Sequence, residues 1–321
     1  MMHQSEKNTK RVKAAVGIVL ACLCIALLIG CKGNPPSADG RPYGMLIGVS
    51  QANLVEPRCI TMNNEILAEA ARHDDMKLII TDAAMETERQ TQDIRMLLGY
   101  GIDLLIISPN DMEALEPLLS EVLQFIPVIV MDQKPSAKTH TLYIGPDNME
   151  IGRLAGEYIA GLLDISGGNI IEIKGRNGTV STDERSAGFR AVLKEYPQIT
   201  ISRELEANWM QDQSEDRMKE CLPILRHPID AIFAHNDPMA FGAAIAMEAF
   251  RFPQVPIIGV DGLSNENGGM ELVQSGVLTA TIACSTGGSQ AVEYARRILS
   301  GEEGLPGQII LEPRLIVAEN P

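Results

Sequence analysis

The residues of this chain best suited to chemistry stand directly after short apolar runs. The run Ala231–Ala234 is followed by His235, Asn236 and Asp237, and then by Pro238 and several small residues. Asn and Asp are favourable helix N-caps and Pro suits a first helical turn, so this pattern predicts a buried strand that turns straight into a helix. In open α/β sheets, ligands bind at such carboxyl ends of strands.

Polar side chains of the same kind follow the other apolar runs. They are carboxylates, amides, hydroxyls and guanidinium groups with one aromatic ring, and they include Arg58, Ser108, Asp132, Gln133, Arg185, Trp209, Asn236 and Asp261. Carboxylates and amides exchange hydrogen bonds with neighbouring hydroxyls, arginine donates to ring oxygens, and an indole ring packs against C–H groups. This set of groups predicts a binding site for a neutral polyol.

Motifs for other chemistries do not occur in the sequence. We find no G-x-S-x-G, H-E-x-x-H or G-x-x-x-x-G-K-[ST] pattern, and no G-x-G-x-x-G spacing for a dinucleotide. His235 follows a predicted strand without a partner that the sequence identifies. We therefore predict a protein that is not an enzyme and has no catalytic residue, metal or cofactor. A carboxylate pair among Asp132, Asp237 and Asp261 keeps glycoside processing open as the less favoured alternative.

The composition limits the class of partner. The 321 residues carry a formal net charge of -15, and such an acidic body repels phosphate backbones, so we predict no nucleic-acid binding. Three of the six cysteines lie within the first 31 residues. The others, Cys59, Cys221 and Cys284, lack metal-type spacing, and the sequence leaves open whether two of them form a disulfide.

The N-terminal residues have the pattern of a secretory signal. A basic stretch ends at Lys13, and the uncharged run Ala14–Gly30 leads to Leu-Ile-Gly and Cys31. This ending resembles a bacterial lipobox, in which the cysteine is lipidated. We predict a lipoprotein signal peptide over residues 1–30, a tether over 31–42 and a lipid anchor at Cys31 in the periplasm or cell envelope. A transmembrane anchor is the alternative, since seventeen apolar residues are at the short limit for a membrane span.

From residue 44 onward, apolar runs alternate with amphipathic segments. The runs, such as Leu104–Ile107 and Val128–Met131, are apolar throughout, which is typical of parallel strands covered on both faces. The intervening segments of helical length indicate βαβ units. We interpret the polar, turn-rich residues 143–148 as a crossing into a second lobe, where the alternation starts again.

Several stretches resemble one known family over nearly all of residues 43–321. They are IGVSQ, DLLIISP, PVIVMDQK, IGPDNMEIGRLAGEYI, STDERSAGF, AIFAHNDPMAFGA and IIGVDG. The chain is similar to the periplasmic sugar-binding proteins of the ribose-binding type, which are type I periplasmic binding proteins. IGVSQ and the SPND run also resemble the sensor lobes of Bacteroides-type hybrid two-component systems.

The resemblance implies two Rossmann-like lobes with parallel sheets, joined by a three-strand hinge and closing on a sugar. It predicts an N-terminal lobe of residues 43–145 plus 285–311 and a C-terminal lobe of 146–284 plus 312–321. Seven of the candidate residues, all except Arg58, match the family's ligand-contacting positions. The chain departs from the ribose pattern in having Gln133 where an arginine is expected and Cys284 in place of a glutamine. Arg58 lies near an aromatic pair of the family and is the candidate to replace the missing charge.

Two partners remain open for a lipid-anchored, monomeric sugar-binding protein. One is the membrane permease of an ABC-type importer, and the other is a sensor kinase to which the ligand is presented. A transcriptional repressor with the same two-lobe core is excluded, because the N-terminus carries a signal sequence instead of a basic helix-turn-helix.

Overall fold

The computed structural model describes residues 44–136 and 138–318. The predicted signal peptide (1–30), the tether (31–42) and the lipidation site Cys31 lie outside the described residues. Within the described part of the chain, no helix combines the length and the apolar character that a membrane span requires.

The described residues form strands and helices that alternate along most of the chain. In chain order the strands are β1 (Met45–Gln51), β2 (Met76–Asp82), β3 (Leu104–Ser108), β4 (Val128–Met131), β5 (Leu142–Pro146), β6 (Gly168–Lys174), β7 (Ile199–Glu206), β8 (Ala231–Ala234), β9 (Ile257–Asp261), β10 (Ala280–Ala283), β11 (Gln308–Leu311) and β12 (Arg314–Val317). The α-helices are α1 (Pro57–Ala70), α2 (Thr87–Gly99), α3 (Met112–Val122), α4 (Asn148–Leu163), α5 (Val180–Leu193), α6 (Gln211–Cys221), α7 (Asp237–Ala249), α8 (Gly269–Gln274) and α9 (Gly288–Leu299). Short 3-10 turns occupy Asp164–Ser166 and Leu222–Ile224.

The strands build two six-stranded sheets. The first has the order β11-β5-β4-β3-β1-β2 and is parallel throughout, and the second has the order β12-β10-β9-β8-β6-β7. In the second sheet, as described within residues 44–318, β10 and β12 pair antiparallel and the other neighbouring strands pair parallel. The central strands are buried on both faces, as their continuous apolar sequences predict: β3 and β4 are buried over their whole length. The prediction of two α/β lobes with parallel sheets is confirmed.

The chain passes between the two sheets at three places. It leaves the first sheet after β5, where Asp147 caps α4 by accepting from Glu150 N at 2.9 Å. It returns between β10 and α9, and crosses again between β11 and β12. Helix α9 packs on the first sheet and α4 on the second, so each sheet has its own core. Because parallel strands of one sheet end on the same side, both sheets bring their carboxyl ends to the gap between the lobes.

The polar, turn-rich residues 143–148, interpreted above as the crossing into a second lobe, contain a strand that the sequence did not indicate. This strand is β5 (Leu142–Pro146), which lies between β4 and β11, and the chain leaves the first sheet directly after it. Gly145 and Pro146 favour a turn by local preference, whereas pairing with the two neighbouring strands makes the segment extended.

Candidate functional site

A cavity of about 330 Å³ lies between the carboxyl ends of the two sheets. The structure brings all eight predicted site residues to its walls: Arg58, Ser108, Asp132 and Gln133 from the first lobe, and Arg185, Trp209, Asn236 and Asp261 from the second. They come from loops and helix starts that are far apart in the sequence. The volume lies at the lower end of the range of roughly 300–1,000 Å³ that small-molecule sites occupy.

Arg58 organises the first-lobe wall. It lies in the first turn of α1, its Nε donates to Asp132 Oδ1 at 3.1 Å, and its Nη1 and Nη2 donate to the backbone oxygens of Cys284 and Ser285 at 3.2 and 3.1 Å. The arginine therefore ties α1 to the crossing segment after β10 and orients the Asp132 carboxylate. Its Nη1 also lies 3.7 Å from Asp261 Oδ1 in the other lobe.

A buried glutamine supports the loop after β3. Gln90 of α2 is fully buried, its Nε2 donates to the backbone oxygen of Ser108 at 2.9 Å, and its Oε1 accepts from Asn110 N at 2.8 Å. Gln133 Nε2 donates to the backbone oxygen of Pro109 at 3.0 Å. Side-chain amides thus position the 108–110 loop, which lines the cavity.

Trp209 is held in place from two sides in the second lobe. Asn236 Nδ2 donates to the Trp209 backbone oxygen at 2.9 Å, and Asn236 Oδ1 accepts from Met239 N at 2.9 Å as the N-cap of α7. On the other side of the ring is Gly175, where an added Cβ would lie 2.2 Å from the indole. The half-buried indole is therefore fixed by backbone contacts, and it lines the cavity.

Arg185 lies beneath this ring. Its guanidinium centre is 5.4 Å from the Trp209 ring centroid, its Nε donates to Asn148 Oδ1 at 3.0 Å, and its Nη1 donates to the backbone oxygen of His235. Burial lowers the pKa of Arg185, opposed by Asp261. An arginine stacked on an aromatic ring keeps N–H groups in a fixed plane, which favours directional hydrogen bonds to a ligand.

Two buried aspartates in the second lobe have different roles. Asp261, at the end of β9, lines the cavity, and burial raises its pKa to about 6 against the opposing effect of Arg58 and Arg185. Asp237 points away into the protein, where it accepts from Gly262 N and Thr281 Oγ1, both at 2.7 Å. Burial, and then the neighbouring Asp261, raise the pKa of Asp237 well above its ordinary value. Asp261 is thus the member of the pair that faces a ligand.

His235 has a structural partner. The ring is fully buried, and its Nε2 lies 3.1 Å from Glu172 Oε1, which also accepts from Ser186 Oγ at 2.6 Å. Burial lowers the pKa of His235. The ring does not line the cavity, so the partner that the sequence did not identify, Glu172, gives His235 a structural role.

The site contains strained backbone. Five cavity-lining residues other than glycine have positive φ: Met85 (66°), Asp132 (67°), Asn208 (48°), Trp209 (69°) and Asp261 (113°). Such angles are uncommon outside glycine and concentrate at functional sites, where the surrounding structure enforces them. Three of the five belong to the predicted set.

Glu56 is a cavity residue that the sequence analysis missed. It is half-buried just before α1, and its Oε1 accepts from Asn53 Nδ2 at 2.7 Å. Burial raises its pKa to about 7, with Asp132 and Asp261 acting in the same direction and Asn53 against it. The sequence places Glu56 directly before Pro57 and Arg58, at the start of the helix that follows β1. A residue at such a helix start lies at the same edge of the sheet as the other site residues, so its position could have identified Glu56.

Asn110 and Arg176 line the cavity without having been among the eight predicted site residues. Arg176 Nη1 donates to Asn110 Oδ1 at 3.1 Å, across the gap between the lobes. Asn110 is held by its Nδ2, which donates to Met85 O at 2.9 Å and Thr87 Oγ1 at 2.8 Å. The sequence carries no signal for this pairing, because the two residues lie in different lobes.

Cys59, Cys221 and Cys284 are free thiols in the structure. Cys59 lines the cavity, and burial, followed by the negative charge of Glu56, raises its pKa well above the ordinary value. Within residues 44–136 and 138–318, no three His, Cys, Asp or Glu side chains are grouped to hold a metal ion.

Comparison with known proteins identifies the family. Residues 47–303 match the sequence profile of the periplasmic binding protein domain. The chain is 30% identical over 302 residues to the ribose import binding protein of Bacillus subtilis, covering 91% of this chain and 95% of that protein. The fructose-binding periplasmic domain of a hybrid two-component system is a structural neighbour with a TM-score of 0.80 and 34% identity, covering 85% of this chain and 90% of that one. A myo-inositol-bound myo-inositol binding protein of Caulobacter has a TM-score of 0.78 and 27% identity, covering 89% and 96%.

The chain belongs to the periplasmic binding protein family, and its fold is that of the type I members. This confirms the resemblance to the ribose-binding type. The relatives named above are binding proteins, which confirms the prediction that the chain is not an enzyme.

Proposed function

We propose that this protein captures a monosaccharide or similar polyol in the cavity between its lobes. The observation that carries the proposal is the convergence of eight polar or aromatic residues, distant in the sequence, on one cavity of about 330 Å³. The lobes that close on the ligand comprise residues 43–145 plus 285–311 and residues 146–284 plus 312–321. The protein acts as a monomer and needs no cofactor.

The electrostatics of the cavity favour a neutral ligand. Three carboxyl groups and three guanidinium groups are among the lining side chains: Glu56, Asp132, Asp261, Arg58, Arg176 and Arg185. When all six groups are ionised their formal charges balance, so the site carries no large net charge that would favour an ion. Glu56, with its pKa of about 7, is only partly ionised at neutral pH, and each of the six groups can hydrogen-bond a hydroxyl. Ribose, fructose and myo-inositol, which the relatives above are named for, are neutral polyols of this kind.

The bound sugar serves one of two membrane partners. Delivery to an ABC-type importer is the first candidate, supported by the likeness to a ribose import binding protein. The second is presentation to a sensor kinase, supported by the 34% identity with a periplasmic domain of a hybrid two-component system. Deleting the gene distinguishes them. Loss of radiolabelled sugar uptake indicates the importer, whereas intact uptake with loss of sugar-induced transcription indicates the sensor.

The proposed location is the periplasm, with a lipid anchor at Cys31 after removal of residues 1–30 and a tether over residues 31–42. The lipobox-like sequence Leu-Ile-Gly-Cys supports this anchor. Mass spectrometry of the membrane-extracted protein tests it. A diacylglyceryl-modified Cys31 at the N-terminus supports the anchor, and release of Cys31→Ser into the soluble fraction is expected.

A thermal-shift screen against pentoses, hexoses and cyclitols tests the binding function, because a ligand that binds only the folded state raises Tm. Calorimetry then measures Kd for each hit. Trp209 is the only tryptophan of the chain and lines the cavity, so its emission is expected to change on binding. The absence of any stabilising polyol would contradict the proposal.

A further inference from the structure

A second cavity of about 580 Å³ adjoins the first at the edge of the gap between the lobes. Gln133, Arg176 and Thr179 line both cavities, so the two spaces share a wall. The volume of the second cavity falls within the range typical of small-molecule sites. The proposed monosaccharide function leaves this space unassigned.

Both lobes build the second cavity. The first lobe contributes the N-terminal turn of α3 and the segment around Lys134 and Ser136, and the second lobe contributes residues 176–180 at the start of α5. The cross-lobe hydrogen bond from Arg176 to Asn110 lies at the junction, since Asn110 lines the first cavity and Arg176 lines both. Closure of the lobes therefore forms both cavities together.

The lining chemistry matches that of a neutral saccharide. Three carboxylates and two cationic groups are interspersed there with two hydroxyls: Asp111, Glu113, Glu116, Lys134, Arg176, Ser136 and Thr179. Carboxylates accept from vicinal hydroxyls, and lysine and arginine donate to sugar oxygens. The excess of carboxylates disfavours a phosphate or sulfate, because an anion would be repelled by them. Met112 and Val180 add apolar surface for C–H groups.

Arg176 occupies the position where two linked rings would join. Its guanidinium carries five N–H donors, and Nη1 is used in the bond to Asn110. Because Arg176 lines both cavities, its remaining donors could serve a glycosidic oxygen or a neighbouring hydroxyl at the junction.

We propose that the second cavity is a subsite for a second sugar unit, covalently linked to the unit in the first cavity, so that the natural ligand is a disaccharide or a glycosylated polyol. This inference rests on the proposed sugar-binding function, which it refines by ligand class. The first cavity selects one unit, and Glu113 and Lys134 hydrogen-bond the second.

Calorimetry with matched pairs of sugars tests the proposal. D-Fructose is compared with sucrose, turanose, maltulose and isomaltulose, which attach glucose to different fructose hydroxyls. myo-Inositol is compared with galactinol, and D-ribose with its O-glucosides. For the unit that binds, one linkage isomer is expected to bind about tenfold more tightly than the free unit, since a few added hydrogen bonds supply that difference.

Two variants separate the subsites. Glu113→Ala and Lys134→Ala change residues that line the second cavity but not the first. Each is expected to weaken disaccharide binding by about three- to tenfold while leaving the affinity for the free unit unchanged. Glu121→Ala, an exposed glutamate of the same helix that lines neither cavity, is the matched control and is expected to change neither affinity.

The outcomes distinguish this inference from the function on which it rests. If the free unit binds and every linked isomer binds more weakly or not at all, the second cavity is a solvent-filled entrance and the subsite is disproved. The same conclusion follows if Glu113→Ala and Lys134→Ala leave disaccharide binding unchanged. Binding of none of these sugars, free or linked, would reject the sugar-binding function as well.

Discussion

At the scale of single residues, Asp261 is the side chain that we expect to contribute most to the affinity for a ligand. It is buried at the end of β9, its φ is positive, and it faces Arg58 from the opposite lobe at 3.7 Å. A carboxylate fixed in this way accepts hydrogen bonds from sugar hydroxyls without the entropy loss of a mobile side chain. Its raised pKa of about 6 still leaves it ionised at neutral pH.

We expect Asp261→Ala to weaken sugar binding by roughly tenfold to a hundredfold, because hydrogen bonds to a charged group contribute about 1.5–3 kcal/mol. Calorimetry at pH 7.5 measures the loss, and circular dichroism checks that both lobes remain folded. Asp74→Ala, in an exposed turn remote from the cavity walls, is the control and should bind like the wild type. Unchanged affinity in Asp261→Ala would remove this residue from the site.

Glu56 is expected to make the free energy of unfolding decrease as the pH rises towards neutrality. Its pKa is about 7 in the folded protein and near 4.5 when exposed, because burial disfavours its charged form. Between these values the folded state holds a proton that the unfolded state has released. The contribution of Glu56 to stability is therefore present below pH 4.5 and lost as the pH rises towards 7.

We expect the free energy of unfolding to fall less steeply from pH 5 to pH 8 in Glu56→Gln than in the wild type. One pKa unit corresponds to about 1.36 kcal/mol, so the difference has an upper limit of about 3 kcal/mol. Urea unfolding at several pH values measures it. Parallel curves for the two proteins would show that Glu56 titrates normally in the folded state.

At the scale of elements, the strand-to-helix junctions explain how short polar segments become precise binding edges. Asn236 ends the extended segment after β8, caps α7 through Oδ1 and holds the backbone of Trp209 through Nδ2. One side chain thus starts a helix and positions an aromatic ring of the site. For this reason substitution of Asn236 combines a structural effect with a binding effect.

We expect Asn236→Ala to lose about 1 kcal/mol of stability, as typical for removal of an N-cap, and to weaken sugar binding. Asp147→Ala is the matched control, because Asp147 caps α4 in the same way and does not line the cavity. It should lose similar stability while retaining its affinity. Thermal unfolding and calorimetry on both variants separate the two effects. Equal affinities of the two variants would show that Asn236 acts only as a cap.

At the scale of the whole molecule, polar contacts bridge the gap between the lobes. Arg58 lies 3.7 Å from Asp261, and Arg176 donates to Asn110 at 3.1 Å. Three crossing segments join the lobes. A ligand that contacts both walls adds to these bonds, so it is expected to shift the lobes towards the closed arrangement.

We expect the radius of gyration measured by small-angle X-ray scattering to decrease when a bound sugar is present. At a sugar concentration one hundred times Kd, the folded state is stabilised by about 2.7 kcal/mol, which calorimetric unfolding detects as a higher Tm. A polyol that fails the thermal-shift screen serves as the control. An unchanged radius together with confirmed binding would contradict closure.

The fold and the site residues were predictable from the sequence to different degrees. Continuous apolar runs such as Leu104–Ile107 form buried strands because of their local hydrophobicity. The alternation of strands and helices was therefore recognisable from the sequence. β5 was missed because Gly145 and Pro146 are turn residues by local preference, and only the neighbouring strands β4 and β11 make the segment extended. Propensity is a weak guide wherever tertiary contacts override it.

The sequence by itself determined which side chains stand at the strand ends, because a buried apolar run followed by polar residues defines that edge of a parallel sheet. Together with the family resemblance, this pattern indicated the eight residues that meet in the cavity. Only the tertiary structure decided what each residue does there. Arg58 hydrogen-bonds Asp132 and the crossing segment, Asp237 points into the protein, and Glu56 and Arg176 are additional lining residues of the cavity. These roles depend on contacts between segments far apart in the chain, and local sequence patterns carry no information about such distances.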